Sequence, residues 1–206
     1  MRIGLDFDNT IIRYDEVFCD AARSRGLIGP DFTGTKHDVR DAIRRLPDGE
    51  LKWQALQGHV YGKGIANAVL FSGLPEFLRR ARTVGDTILI VSHKTERGHF
   101  DPDGIDLRVA ALRWMEAQGF FSEQGFSIAL EHVHFLATRA EKLDRIAELD
   151  CDAFVDDLAE VLLDPAFPPS VRRILFSDCA VESERLPYSV CRDWTSISEA
   201  IFHGRA

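Results

Sequence analysis

Apolar positions along this chain fall into short continuous runs, separated by longer stretches in which apolar residues recur every three or four positions. Residues 3–7 (IGLDF) and 87–91 (TILIV) are apolar at nearly every position. Such runs predict strands buried on both faces of a parallel sheet. Residues 132–136 (HVHFL), 153–155 (AFV) and 173–176 (RILF) predict three more strands. Helical spacing fills the intervals. Residues 75–83 (PEFLRRART) read as a helix closed by the turn 84–86. Residues 107–118 set Val109, Leu112 and Met115 on one face, and residues 139–149 do the same with Leu143, Ile146 and Leu149. A last short helix is expected over 196–202, capped by Thr195 or Ser196. Strands that alternate with helices predict an α/β fold with right-handed crossovers.

One interval breaks the alternation. Roughly 80 residues separate the first two strands, where a simple crossover unit takes about 30 in all. Residues 15–25, 36–45 and 51–61 each read as helical. Gly26, Gly29 and Pro30 punctuate the first pair, and Pro47, Asp48 and Gly49 the second. Residues 15–67 are therefore expected to form a small helical insertion over the sheet. Residues 1–14 and 68–206 would form the core, a Rossmann-like three-layer sandwich around a mainly parallel five-stranded sheet.

Composition narrows the function classes. The 206 residues are 45% hydrophobic and 28% charged, which suits a folded soluble protein. The formal net charge of -8 repels phosphate backbones and anionic lipid, so nucleic-acid scaffolding and membrane docking are not expected. The longest apolar runs fall well short of the ~20 residues that span a bilayer. The first residues show no apolar signal segment. Cys19, Cys151, Cys179 and Cys191 are widely spaced and form no C-x-x-C pair. Reduced cysteines in a cytoplasmic protein are expected.

Candidate chemistry lies at the strand ends. Asp6 and Asp8 close the first strand and are followed by Asn9 and Thr10. Two carboxylates this close repel each other unless a proton or a cation intervenes. Taken alone, the pair is as readily an acidic turn. The second strand ends at Ser92, with His93 and Lys94 after it, and the fourth runs into Asp156 and Asp157. Lys142 lies near the start of the helix before that strand. Ligands of open α/β sheets bind outside the carboxyl ends of the strands. Carboxylates, an ammonium and a hydroxyl gathered there are the parts that metal-assisted phosphoryl transfer needs. Carboxylates hold Mg²⁺, cations offset the phosphoryl charge, and one aspartate is available as nucleophile and another as acid and base.

At these residues the sequence resembles the haloacid dehalogenase superfamily. DFDNT is similar to its first motif, D-x-D-x-T. Ser92, Lys142 and the VDDL of residues 155–158 follow as its second, third and fourth motifs, in order and at the expected element ends, over residues 1 to about 160. The helical insertion looks like the family's cap of the first type. The resemblance implies Asp6 as the nucleophile that forms an aspartyl-phosphate and Asp8 as general acid and then base. Asp6, the Asp8 carbonyl, Asp156 and Asp157 would hold Mg²⁺. Thr10 would buttress the loop, with Ser92, His93 and Lys142 on the phosphoryl group. The presence of Asp8 implies a phosphatase, acting on a small phosphorylated metabolite, or a phosphotransferase or narrow nucleotidase. A non-catalytic regulatory module is the rival from another class, disfavoured because no motif residue is missing.

Other residues carry weaker signals. Lys94, His59, Tyr61 and Lys63 are candidate substrate contacts, and Trp53 reads as core of the insertion. His132 and His134 are expected on one strand face, in a structural role at a sheet edge. Glu160 reads as a solvated helix residue. The polar loop 96–106 reads as a plain connection, with His99 and Phe100 as outside candidates for substrate contact. Asp101, Asp103 and Gly104 within it lack the closing Glu of a calcium loop.

Overall fold

The computed structural model describes residues 1–98, 100, 104–177 and 186–204. The chain divides into two packed units. The first comprises residues 1–12, 70–94 and 118–206, and the second residues 13–69 and 95–117. In chain order the elements are β1 (Arg2–Leu5), β2 (Ile12–Arg13), α1 (Asp15–Ser24), α2 (Lys36–Arg44), α3 (Gly49–Tyr61), β3 (Val69–Leu70), α4 (Leu74–Thr83) and β4 (Thr87–His93). They continue with α5 (Leu107–Ala117), β5 (Val133–Leu136), α6 (Arg139–Glu148), β6 (Ala153–Asp156), α7 (Ala159–Leu162), β7 (Arg172–Phe176), β8 (Ser189–Cys191) and α8 (Trp194–Phe202). No helix among the described residues is long and apolar enough to cross a membrane.

The first unit is built on a parallel sheet with the order β5-β4-β1-β6-β7-β8 among the described residues. This corrects the expected five strands to six. The added strand, Ser189–Cys191, has only three residues, and only Cys191 is buried. A run that short has no readable periodicity, and it exists because Val190 pairs with Leu175 in β7. The strand order reverses beside β1, with β4 on one side and β6 on the other. Open α/β sheets leave a crevice at such a switch point, at the carboxyl ends of the strands.

Both faces of the sheet are covered, which explains the unbroken apolar runs. Leu89 and Val91 of β4 point to one face and pack with Leu143 and Ile146 of α6, Val161 and Leu162 of α7, and Phe154, Phe167 and Leu175. Helix α4 packs on β4 and on α8. There Phe77 meets Trp194 at 4.9 Å and Phe202 at 5.3 Å between ring centroids. Each fully buried side chain of this size contributes about 1.5–3 kcal/mol. Gly4 in β1 is required by packing, because a Cβ there would collide with the ring of Phe154. Helix α8 starts two residues earlier than expected. Its cap is Asp193, whose carboxylate accepts the Ser196 N–H at 2.7 Å in a capping box.

The second unit is helical. Tyr14, Phe18, Trp53 and Tyr61 form its aromatic centre, with Phe18 stacked on Trp53 at 5.0 Å and Tyr61 edge-on to Tyr14 at 5.0 Å. Trp53 is core, as its apolar setting predicts. Thr35 and Asp38 form a capping box at the start of α2. Gly49 begins α3 where the chain presses on the α2 backbone, and a Cβ would strike the Ile43 carbonyl and Arg44.

Helix α5 and the loop before it also belong to this unit. The buried stripe of α5 is Leu107, Ala111, Trp114 and Met115, and Val109 is exposed. That differs from the expected face of Val109, Leu112 and Met115. The Trp114 indole N–H donates to the Ala68 carbonyl at 3.0 Å, which turns the helix to bury Trp114. In the loop, Arg97 bridges to Asp106, and the Asp106 carboxylate accepts the N–H groups of Arg108 and Val109 at the helix start. Phe100 is exposed. His99, Asp101 and Asp103 lie outside the described residues, as does Cys179.

Candidate active site

The site grows from the turn that ends β1. The Asp6 N–H donates to the Val155 carbonyl at 2.9 Å, which extends the β1–β6 ladder by one residue and sets Asp6 beside Asp156. The chain then turns sharply. The N–H groups of Ile11 and Ile12 both donate to the Phe7 carbonyl, and Asn9 adopts a left-handed conformation with φ 58°. Asn tolerates that region better than most side chains. The Asn9 amide donates to Asp157 Oδ2 at 3.2 Å, so the first and fourth motifs are joined by a side-chain hydrogen bond. Asn9 carries this function unforeseen by the sequence pattern; the signal that was present is an Asn directly after the acidic pair, a residue type that favours tight turns.

Lys142 is the centre of the charge arrangement. Its Nζ donates to Asp6 Oδ1 at 2.6 Å and to Asp156 Oδ2 at 2.7 Å, and all three residues are buried. The Thr138–Glu141 capping box fixes the start of α6, one turn before Lys142. Burial works to lower the Lys142 pKa, but the Asp6 and Asp156 carboxylates outweigh it and hold the ammonium above its ordinary value. Burial pushes the Asp156 carboxyl up to about 6; Lys142 opposes the shift and Asp6 adds to it. The second oxygen of Asp156 accepts the Leu158 N–H at 2.9 Å. Oxygens of Asp6, Asp156 and Asp157 lie within 4.8 Å of one another.

This donor set suits a divalent cation. Three carboxylates gather by one ammonium, so negative charge is in excess, and the Asp6 charge adds to the burial that raises the Asp156 carboxyl. Hard oxygen donors of this kind favour hard cations over softer metals.

Asp8 and Lys94 form a second ion pair. Lys94 Nζ donates to both oxygens of Asp8, at 3.0 and 2.8 Å. Lys94, expected as a substrate contact, is buried on this carboxylate and lies 5.4 Å from the Phe7 ring centroid. Ser92 is buried one register step from the end of β4. His93 places Nε2 at 2.9 Å from the Ala137 carbonyl, so the ring braces the turn before α6. Thr10 is fully buried, its carbonyl accepts the Trp194 indole N–H at 3.2 Å, and its hydroxyl has no hydrogen-bond partner among the described residues.

The remaining candidates divide plainly. Tyr61 belongs to the aromatic centre of the helical unit, with Lys36 Nζ 5.5 Å from its ring centroid. His59 is half-buried and Lys63 exposed in that same unit. Glu160 is exposed and pairs with Arg139 at 2.7 Å. His132 sits in a short 3₁₀ turn ahead of β5, so the two histidines do not share a strand face. His134 lies on the edge strand, and burial lowers its pKa. Cys19, Cys151 and Cys191 are buried free thiols, each pushed up by burial.

Comparison with known proteins bears on the fold. No family model and no curated protein matches the chain. Among solved structures, Protein Tyrosine Kinase A of Mycobacterium tuberculosis is similar with a TM-score of 0.60 and 17% identity, covering 97% of each chain. A haloacid dehalogenase-superfamily hydrolase of subfamily IA from Geobacter sulfurreducens gives 0.58 and 13%, over 97% of this chain and 95% of the other. A hydrolase of the same family from Deinococcus radiodurans, with bound phosphate and sodium, gives 0.57 and 13%, over 98% and 94%. The chain thus has the fold of the haloacid dehalogenase-like hydrolases, over nearly its whole length.

Proposed function

We propose that the chain is a Mg²⁺-dependent phosphatase that hydrolyses a small phosphorylated metabolite through an aspartyl-phosphate on Asp6. The observation that carries this reading is Lys142, buried and shared between Asp6 and Asp156 at the switch point of the sheet. An ammonium so placed stabilises charge on Asp6 and offsets the phosphoryl oxygens that approach it. Asp8 follows on the same turn and protonates the leaving oxygen, then takes a proton from the attacking water. Asp6, Asp156 and Asp157 would hold the cation, together with the Asp8 carbonyl implied by the family resemblance. When bound, Mg²⁺ supplies further neutralisation of the phosphoryl charge. Residues 15–67 are proposed as the cap, with His59, Tyr61 and Lys63 as its candidate substrate contacts. The likeness to a chain named as a tyrosine kinase favours one second reading, transfer of the phosphoryl group to an acceptor other than water.

The test is phosphate release from p-nitrophenyl phosphate with Mg²⁺ and with EDTA. Metal-dependent release is expected, and robust release in EDTA would sink the mechanism. An added alcohol that diverts product from inorganic phosphate would favour transfer.

Metal binding should also depend on pH. The Asp156 carboxyl lies near 6 in the folded protein, above its ordinary 3.8. A carboxyl raised by folding contributes stability below its unfolded pKa and loses it as pH rises through the folded value. Above pH 6 the ionised Asp156 is free to bind a cation, whereas below it a proton competes. Mg²⁺ affinity should fall by up to about tenfold per pH unit below that point. The Mg²⁺-induced rise in Tm, followed by thermal denaturation, should be larger at about pH 7.5 than at about pH 5. An equal rise at both values would show that Asp156 does not take part.

A further inference from the structure

The Lys94–Asp8 pair is unequal in exposure. The Lys94 side chain is 2% exposed and the Asp8 side chain 20%. An arriving ligand therefore meets the carboxylate of the pair, with the ammonium behind it. The lysine is also firmly held. Its backbone N–H donates to the Leu136 carbonyl at 2.9 Å, which ties the end of β4 to β5, and its Nζ lies by the Phe7 ring. Lys94 thus grips Asp8 from a rigid strand end, while Asp8 itself stands on a turn.

We propose that Lys94 is a positioning residue that acts through Asp8, orienting the proton that Asp8 delivers to the leaving oxygen. This role rests on the phosphatase reading above. In the first step the bond between an Asp6 carboxylate oxygen and phosphorus forms as the bond from phosphorus to the leaving oxygen breaks. The leaving oxygen takes the proton of the Asp8 carboxyl, and Asp8 is left as a carboxylate. An ammonium donates hydrogen bonds and accepts none. Lys94 Nζ reaches both oxygens of Asp8, at 3.0 and 2.8 Å, and so fixes the plane of the carboxyl group. Whichever oxygen carries the proton keeps a lone pair toward the ammonium and directs its O–H away from it. In the second step the Asp8 carboxylate takes a proton from the water that attacks phosphorus, the bond from phosphorus to the Asp6 oxygen breaks, and the Asp6 carboxylate and inorganic phosphate are released, while Lys94 again holds the plane of Asp8.

Leaving groups of different basicity separate this role from a structural one. p-Nitrophenolate departs with little help from an acid, whereas phenolate needs protonation. Lys94→Met should lower kcat/KM for phenyl phosphate about tenfold more than for p-nitrophenyl phosphate, a fraction of the roughly 10²–10⁴-fold that general acid catalysis contributes as a whole. Equal losses on the two esters would overturn the role. A second comparison removes the burden of an unpaired buried charge. Asp8→Asn combined with Lys94→Met leaves a neutral pair, and its kcat/KM on p-nitrophenyl phosphate should equal that of Asp8→Asn alone. A further loss would mean that Lys94 acts on the substrate directly and would overturn the proposal. If the wild-type chain shows no Asp6-dependent turnover of either ester, the phosphatase reading fails and takes this role with it. Equal losses in an active enzyme overturn the role alone.

Discussion

Asp6→Asn is expected to lower phosphate release by roughly 10⁴–10⁶-fold, the scale on which loss of a nucleophile or its partner acts in other covalent mechanisms. The fold should survive the change. Three carboxylates crowd one ammonium, and Asp156 still pairs with Lys142 at 2.7 Å once Asp6 is neutral. Removing one negative charge relieves repulsion between Asp6 and Asp156. Chemical denaturation should therefore show a stability equal to or above that of the wild type. The pairing of lost turnover with kept stability is the informative result. An Asp6→Asn protein that retains more than about a hundredth of wild-type activity would remove the aspartyl-phosphate from the mechanism.

Lys142→Met acts in the opposite sense. The thioether side chain fits the volume, but it leaves Asp6 and Asp156 facing each other with both carboxylates buried. Breaking a buried ion pair from one side costs about 3–5 kcal/mol. That loss should appear in urea denaturation carried out in EDTA. Turnover should fall by at least about 10²–10³-fold, since a cation aimed at the phosphoryl oxygens is gone. Added Mg²⁺ should recover part of the stability, because a divalent cation among the carboxylates replaces the missing charge. Unchanged stability in EDTA would mean that the Lys142 ammonium does not offset the charge of these carboxylates in the fold.

Much of the fold was legible because its strands are buried on two faces and its helices on one. The run 87–91 announced β4, and the stripe of Leu143 and Ile146 announced α6. The strand Ser189–Cys191 was hidden, since three residues with one buried side chain carry no period. The cap of α8 was misplaced for a related reason. Thr195 and Ser196 are both good caps in isolation, and only the bond from the Ser196 N–H to the Asp193 carboxylate shows that the cap is neither of them but Asp193. His132 shows the limit of alternation, because an H-x-H spacing reads as a strand face while the backbone turns at His132.

The carboxylates, the lysine and their strand ends were determined by the sequence alone. An acidic pair after an apolar run is costly unless something binds it, and that cost is local. The partners were decided by the tertiary structure. Lys94 lies 86 residues from Asp8, Asn9 lies 148 from Asp157, and Lys142 lies 136 from Asp6. Periodicity reports which face of an element is buried but carries no information about which side chain it meets across the sheet. That choice depends on register: Leu5 beside Val155 and Ile90, and His93 beside Leu136. Register is set by packing of the whole unit. It is why the pairing of Lys94 with Asp8 could not be read from the neighbours of Lys94 in the sequence.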